Sequence, residues 1–225
     1  MNLENTQIAV LTENQYQELE LWYPLMRLRE EGANVLVVAP SADQIYVSKL
    51  GYPVKPDLAV ADVEAANFDA VIIPGGFAPE GMRKHKPMVD LVRDVHQQGN
   101  LVAAICHAGW MLASSGIARG RRLTCVPNIK DDVINAGANY VDEPVVRDGN
   151  LITSRLPGDL PDFCREIVRY LGEAPSRRNS ARALQSRQGR PTSADYTHAA
   201  KVIMGTRGRA SANYMAVVVQ DEPDK

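Results

Sequence analysis

Cysteine is scarce in this chain and unpaired: Cys106, Cys125 and Cys164 are the only three in 225 residues, at unrelated spacings and with no Cys-x-x-Cys. That excludes a disulfide framework and supplies no zinc site. Nowhere does the sequence hold the roughly 18 consecutive apolar residues that a membrane-spanning helix needs, and Met1 to Ala9 is too polar for a signal peptide. A cytoplasmic protein is expected. The net charge of -2 exerts no global pull toward nucleic acid or a membrane surface. Phosphate loop, dinucleotide fingerprint and metal-ligand cluster are all missing from the sequence, so no cofactor and no metal are expected.

What is present is an ordinary globular composition, 45% hydrophobic and 23% charged, in a chain long enough for one domain of about 150 to 200 residues and an appendage. Charge locates the boundary. Residues 173 to 225 hold 9 Lys/Arg against 5 Asp/Glu, whereas the first 172 residues are net acidic. The expected division is an α/β domain over 1–172 and a basic C-terminal extension over 173–225. Within the first, apolar runs at 7–11, 34–39, 69–73 and 101–105 predict buried strands. Helical spacing predicts helices over 15–31, 60–67, 87–98, 131–136 and 159–171, the first kinked and interrupted at Pro24. A small irregular or hairpin excursion is expected over 44–54, and two further strands, around Val145 and Leu151, are joined by the turn Asp148, Gly149, Asn150. Strands that are continuously apolar and alternate with helices predict a mainly parallel sheet covered on both faces. Ligand sites in such sheets lie at the carboxyl ends of the strands.

Two of those strand ends carry chemistry. The run Leu101 to Ile105 stops on Cys106, His107, Ala108 and Gly109 before Trp110, Met111 and Leu112, which reads as a strand turning sharply into a helix with a thiol at the corner. A helix N-terminus behind the thiol favours thiolate, so a pKa below the ordinary value of about 8.5 is expected. The same pattern also fits a plain buried cysteine. The run Asp69 to Ile73 stops on Pro74, Gly75 and Gly76, where glycine lets backbone approach closely. Two strand-end backbones meeting at one crevice are what an oxyanion site requires, with Gly75, Gly76 and His107 as its backbone members. A tight turn is the plainer use of the two glycines. Cys164 shares a helical stripe with Leu160, Phe163, Ile167, Val168 and Leu171 and reads as core, and His85 and His96 read as surface residues.

Four blocks then occur in order over about residues 7 to 171. They are Tyr23-Pro24 with Arg27-Leu28-Arg29-Glu30-Glu31-Gly32, Pro74-Gly75-Gly76 with Ala78-Pro79-Glu80, Ile105-Cys106-His107, and Ile129-Lys130-Asp131-Asp132 with Asn135-Ala136-Gly137. This combination resembles the PfpI family of intracellular cysteine proteases and amidases, within the ThiJ superfamily that also contains the parkinsonism-associated deglycase. The resemblance implies a flavodoxin-like three-layer α/β sandwich in which Cys106 is the nucleophile and His107 its neighbour. It also implies an acid from the first helix beside the sulfur, which by position relative to Pro24 is Glu20. A further glutamate, Glu80, would come from an adjacent subunit to complete a Cys-His-acid arrangement, which implies a homo-oligomer, a dimer or a hexamer. Three positions depart from the family pattern: Gln17 stands where Glu is usual, Phe77 where Arg often follows Gly-Gly, and Val126 where a Tyr is frequent. Fewer polar groups would then line the pocket.

The function so implied is a stress-related, cysteine-dependent hydrolase acting at a carbonyl of a small-molecule or peptide substrate. An amide would give an acyl enzyme and hydrolysis, whereas an α-oxoaldehyde or a glycated side chain would give a hemithioacetal, as in deglycase and glyoxalase members of the superfamily. A class I glutamine amidotransferase adds a distant His-x-Glu pair to its corner cysteine, and here only His198 follows His107, with Ala199 and Ala200 after it. The alternative is non-catalytic redox sensing through Cys106. In the extension, Arg177, Arg178, Arg182, Arg187 and Arg190 read as a flexible basic segment, and Tyr214 to Val219 as a strand that docks on a neighbouring subunit. Neither nucleic acid nor membrane is an expected partner.

Overall fold

Residues 3–173 are described by a computed structural model. The expectations for the arginines from Arg177 onward and for Tyr214 to Val219 fall outside the described residues. In chain order the elements are β1 (Gln7–Leu11), α1 (Glu18–Glu30), β2 (Asn34–Ala39), β3 (Tyr46–Val47), β4 (Pro53–Val54), β5 (Leu58–Ala59), β6 (Ala70–Ile73), α2 (Ala78–Met82) and α3 (Lys86–Gln97). There follow β7 (Leu101–Ile105), α4 (Gly109–Ser114), β8 (Arg122–Leu123), α5 (Lys130–Asn135), β9 (Asn139–Tyr140), β10 (Val145–Asp148), β11 (Leu151–Ser154) and α6 (Leu160–Glu173).

Seven strands make one sheet in the order β10-β11-β7-β6-β1-β2-β5, parallel throughout except for the β10–β11 hairpin. Every residue of β1, β6 and β7 is buried, which is why these strands are apolar at consecutive rather than alternate positions. The chain leaves β1 in one direction to reach β2 and in the other to reach β6, β7 and β11. Right-handed crossovers therefore put α1 on one face and α3 with α4 on the other. The last helix, α6, returns to pack beside α1. The reversal of direction at β1 and β6 opens a crevice at their carboxyl ends, the topological switch point of this sheet order.

Several elements differ from the sequence expectation, each for a local reason. Helix α1 begins at Glu18 rather than Gln15, because Gln15 (φ 68°) is left-handed, Tyr16 forms an isolated bridge to Gly76, and Gln17 becomes the N-cap, its side chain accepting from the Glu20 amide at 2.9 Å. The helix then runs unbroken through Pro24. The helix expected over 60–67 is two 3-10 turns, Val60–Asp62 and Ala65–Asn67, separated by extended backbone at Val63 and Glu64. The strands β5, β8 and β9 have two residues each and α2 has five, too short to show a period in the sequence.

Candidate active site

The loops after β1, β6 and β7 meet at the crevice, and their backbones hold one another. The Phe77 amide donates to the Gln15 carbonyl at 2.9 Å and the Gln17 amide to the Gly75 carbonyl at 3.2 Å. So close an approach leaves no room for side chains at the two glycines. A Cβ on Gly76 (φ 73°) would sit 2.3 Å from the Gln15 carbonyl oxygen, and one on Gly75 would sit 2.7 Å from both the Cβ of Cys106 and a carboxylate oxygen of Glu20.

Cys106 is one of three non-glycine residues with positive φ among the described residues, at 62°. An L-residue in that region costs roughly 1–2 kcal/mol, and the strain turns the side chain out of the sheet toward the crevice. A 3-10 turn over Cys106–Ala108 leads into α4, so the strand-to-helix corner is as expected. The low thiol pKa is not. Burial pushes the thiol up to about 12, and the neighbouring Glu20 carboxylate adds repulsion, against which the backbone amides of His107 and Gly76 pull only part of the way down. Helix α4 begins at Gly109 and has six residues, too far and too short to outweigh desolvation. The same burial pushes Cys125 and Cys164 to about 12. What distinguishes Cys106 is therefore its surroundings: an 8% exposure where the other two have 1%, two amides directed at its sulfur, and a carboxyl beside it.

That carboxyl is Glu20, fully buried on the first turn of α1. One oxygen accepts from the Gly75 amide at 2.7 Å, so Gly75 orients the acid instead of facing an oxyanion, a correction to its expected role. The other oxygen of Glu20 is buried without a hydrogen-bond partner, beside the Cys106 side chain. Burial raises its pKa to about 7, with Gly75, Cys106 and the Lys49 charge pulling the other way. It can thus exchange a proton near neutrality, the property a general acid or base needs. When the thiol proton moves onto Glu20, the repulsion that helped hold the thiol up disappears.

The raised pKa fixes a sign for stability. Because the folded value lies above the unfolded one, 4.5, the contribution of Glu20 is complete below pH 4.5 and is lost as pH rises through 7, by about 3 kcal/mol. Glu20→Gln is expected to lack this loss. Urea melts at pH 5 and pH 8 should show the variant gaining up to about 3 kcal/mol on wild type over that interval; parallel profiles would exclude a buried ionisable Glu20.

His107 is half-buried, with Nδ1 3.3 Å from the Cys106 sulfur. Burial, reinforced by the Lys49 charge, lowers its pKa and leaves the ring neutral at pH 7. Its face packs on Trp110, centroids 5.1 Å apart, and the Trp110 indole N–H is fixed by Asp132 at 2.7 Å. The Phe77 ring is a second aromatic neighbour, tilted, with centroids 6.0 Å apart. Among the described residues no carboxylate of this chain bonds the ring. Glu80 is exposed on α2 and reaches neither Cys106 nor His107 within its own chain. Val126 is buried beside the corner, its amide donating to the Cys106 carbonyl at 3.4 Å.

Sequence reasoning passed over two members of the crevice. In the sequence Trp110 carries only a helical signal, although its partner Asp132 lies in a recognisable block. Lys49, at the tip of the β3–β4 hairpin, had no local signal at all. Of the expected surface histidines, His85 is half-exposed and pairs with Glu13 at 3.5 Å, whereas the His96 Nε2 is buried, which lowers that residue's pKa. A separate cleft of about 780 Å3 between α3 and the two 3-10 turns has Glu64, Asp90 and Asp94 among its lining residues and holds no nucleophile. Among the described residues no cluster of His, Cys, Asp and Glu could hold a metal ion, and no helix is long and apolar enough to cross a membrane.

A six-stranded parallel core in this order, wrapped by helices and with a cysteine on the corner beside its switch point, defines a flavodoxin-like α/β protein with a thiol-centred crevice. The chain belongs to the DJ-1/PfpI family, whose model matches residues 6–170. It is 45% identical over 164 residues to a deglycase of Pyrococcus abyssi and 42% identical to the deglycase PfpI of Pyrococcus furiosus, in each case over 73% of this chain and 98% of the relative. Among solved structures, Drosophila melanogaster DJ-1beta superposes with a TM-score of 0.70 at 29% identity, covering 91% of this chain and 98% of that one. A two-domain protein of Anabaena variabilis, with DJ-1/ThiJ/PfpI-like and ferritin-like domains, gives 0.74 at 37% identity over 79% of this chain. This chain spans 52% of that longer protein.

Proposed function

We propose that this protein is a cysteine-dependent enzyme acting at a carbonyl, with Cys106 as nucleophile and deglycase-type chemistry as the first expectation. The observation that carries the reading is the left-handed Cys106, with the Gly76 and His107 amides and the Glu20 carboxyl converging on one sulfur. In a hemithioacetal step the sulfur bonds the carbonyl carbon, the carbonyl π pair moves to oxygen, and the thiol proton passes through Glu20 to that oxygen. The two amides stabilise charge while it develops, first on sulfur and then on oxygen. The names of the deglycase relatives support this carbonyl class over simple peptide hydrolysis. Action in the cytoplasm belongs to the same reading.

The neutral His107 needs a carboxylate partner to hold a proton, since an adjacent negative charge raises an imidazole pKa. Exposed Glu80 suits delivery from a second copy, so the functional unit is a homo-oligomer. The test is turnover of methylglyoxal, a glycated peptide and a peptide amide by protein alkylated at Cys106 to known extents, alongside its size in solution. Turnover of at least one substrate should fall in proportion to alkylation, and Glu80→Gln should lower it in an otherwise intact oligomer. Full activity after complete alkylation of Cys106 would overturn the reading, and a monomer of full activity would overturn the part given to Glu80.

A further inference from the structure

We infer that Lys49 is a specificity-determining residue that selects carbonyl substrates bearing a carboxylate next to the reacting carbon. This rests on the nucleophile reading of Cys106 and extends it to the substrate's charge. The hairpin that carries Lys49 is clamped over the crevice. The Lys49 amide donates to the Tyr16 carbonyl at 3.0 Å, and Tyr16 is itself bridged to Gly76. On either side of Lys49, the Ser48 hydroxyl and the Leu50 amide both donate to one oxygen of the Glu18 carboxylate, at 2.5 and 2.6 Å. The Ser48 hydroxyl in turn accepts from the Tyr52 amide at 2.8 Å. The tip is therefore held by four bonds around the lysine, whose side chain is exposed.

Its ammonium lies 5.5 Å from the centroid of the Phe77 ring, which faces His107 at 6.0 Å. The cation thus stands over Phe77, the ring next to the histidine that touches the sulfur. Its charge is felt by both His107 and Glu20, yet among the described residues it forms no ion pair. Lys49 is exposed, and the carboxylates of Glu18 and Glu20 are already bonded to Ser48, Leu50 and Gly75, so neither of them neutralises it by direct contact. The remaining walls, Phe77, Trp110 and Val126, are apolar or aromatic. An anionic substituent entering with the carbonyl meets a cation at Lys49. A carboxylate suits that place because it brings its charge within a bond or two of the carbon that Cys106 attacks.

The experiment compares alkylation of Cys106 by iodoacetate and by iodoacetamide, reagents of similar size that differ in charge. Rates are read by mass spectrometry on wild type, Lys49→Met and Lys49→Arg. The iodoacetate-to-iodoacetamide rate ratio should fall about fivefold in Lys49→Met, the size of a partly screened ion pair, and be largely restored in Lys49→Arg. In wild type the ratio should also decline as salt is raised, and in Lys49→Met it should not. A lysine that merely steadied the hairpin would slow both reagents alike and leave the ratio unchanged, which would overturn the inference. Cys106 unmodified by either reagent would instead overturn the nucleophile reading beneath it.

Discussion

Replacing Cys106 by alanine is expected to lower kcat/KM by at least about a thousandfold, because removal of a covalent nucleophile leaves only binding and the amides to act. Serine should not rescue it. Its hydroxyl is far less acidic than a thiol, and Glu20, with a pKa of about 7, is too weak a base to activate it. Folding should survive both changes, since alanine and serine carry the same left-handed strain as cysteine. Cys106→Gly offers a sharper control. Glycine adopts positive φ at no steric cost, so this variant should be about 1 kcal/mol more stable than Cys106→Ala in urea melts while being equally inactive. Such a result would show that the corner stores strain for the thiol's orientation. Activity of either variant within tenfold of wild type would remove Cys106 from the mechanism.

Gly76→Ala is expected to cost about 3–5 kcal/mol, among the largest effects of any single exchange outside the strands. Two penalties add. A non-glycine residue at φ 73° is strained in any surroundings, and its Cβ would meet the Gln15 carbonyl oxygen at 2.3 Å, the Gln17 amide nitrogen at 2.6 Å and the Tyr16 carbonyl carbon at 2.8 Å. All three are backbone atoms of the loop that closes the crevice, and none can swing aside as a side chain would. Gly51 gives the contrast: its φ is 93°, yet nothing lies within 4 Å of a Cβ there, so Gly51→Ala should lose only the conformational part, about 1 kcal/mol. Urea melts of the two variants measure the difference directly. A Gly76→Ala variant no less stable than Gly51→Ala would mean that the loops after β1 and β6 do not pack as described.

Reading the sequence locates these positions without explaining them. The strands β1, β6 and β7 are legible because burial on both faces demands unbroken apolar runs, and the sheet they form has few alternatives once right-handed crossovers are imposed. The cysteine corner is legible because a strand of that kind must end on small residues to turn. The two-residue strands and the start of α1 are not, since they are set by contacts distant in sequence. Gln15 and Tyr16 leave the helical path because Gly76 is there to receive them, over about sixty residues of intervening chain.

By itself, then, the sequence determined the layered fold and the place of the thiol at a strand end, which follow from local pattern, whereas the acid on the first helix is implied only by the family resemblance. Only the tertiary structure decided how these groups behave. Burial reverses the sign expected for the Cys106 pKa, because desolvation outweighs a short helix that begins three residues on. Gly75 gives its amide to Glu20, because the crevice brings the two within 2.7 Å. Lys49 reaches the rim of the site from a hairpin far along the chain that Tyr16 and Glu18 hold, its ammonium over Phe77. Charge, solvation and hydrogen bonding depend on distances in space, and those distances exist only once the chain has folded.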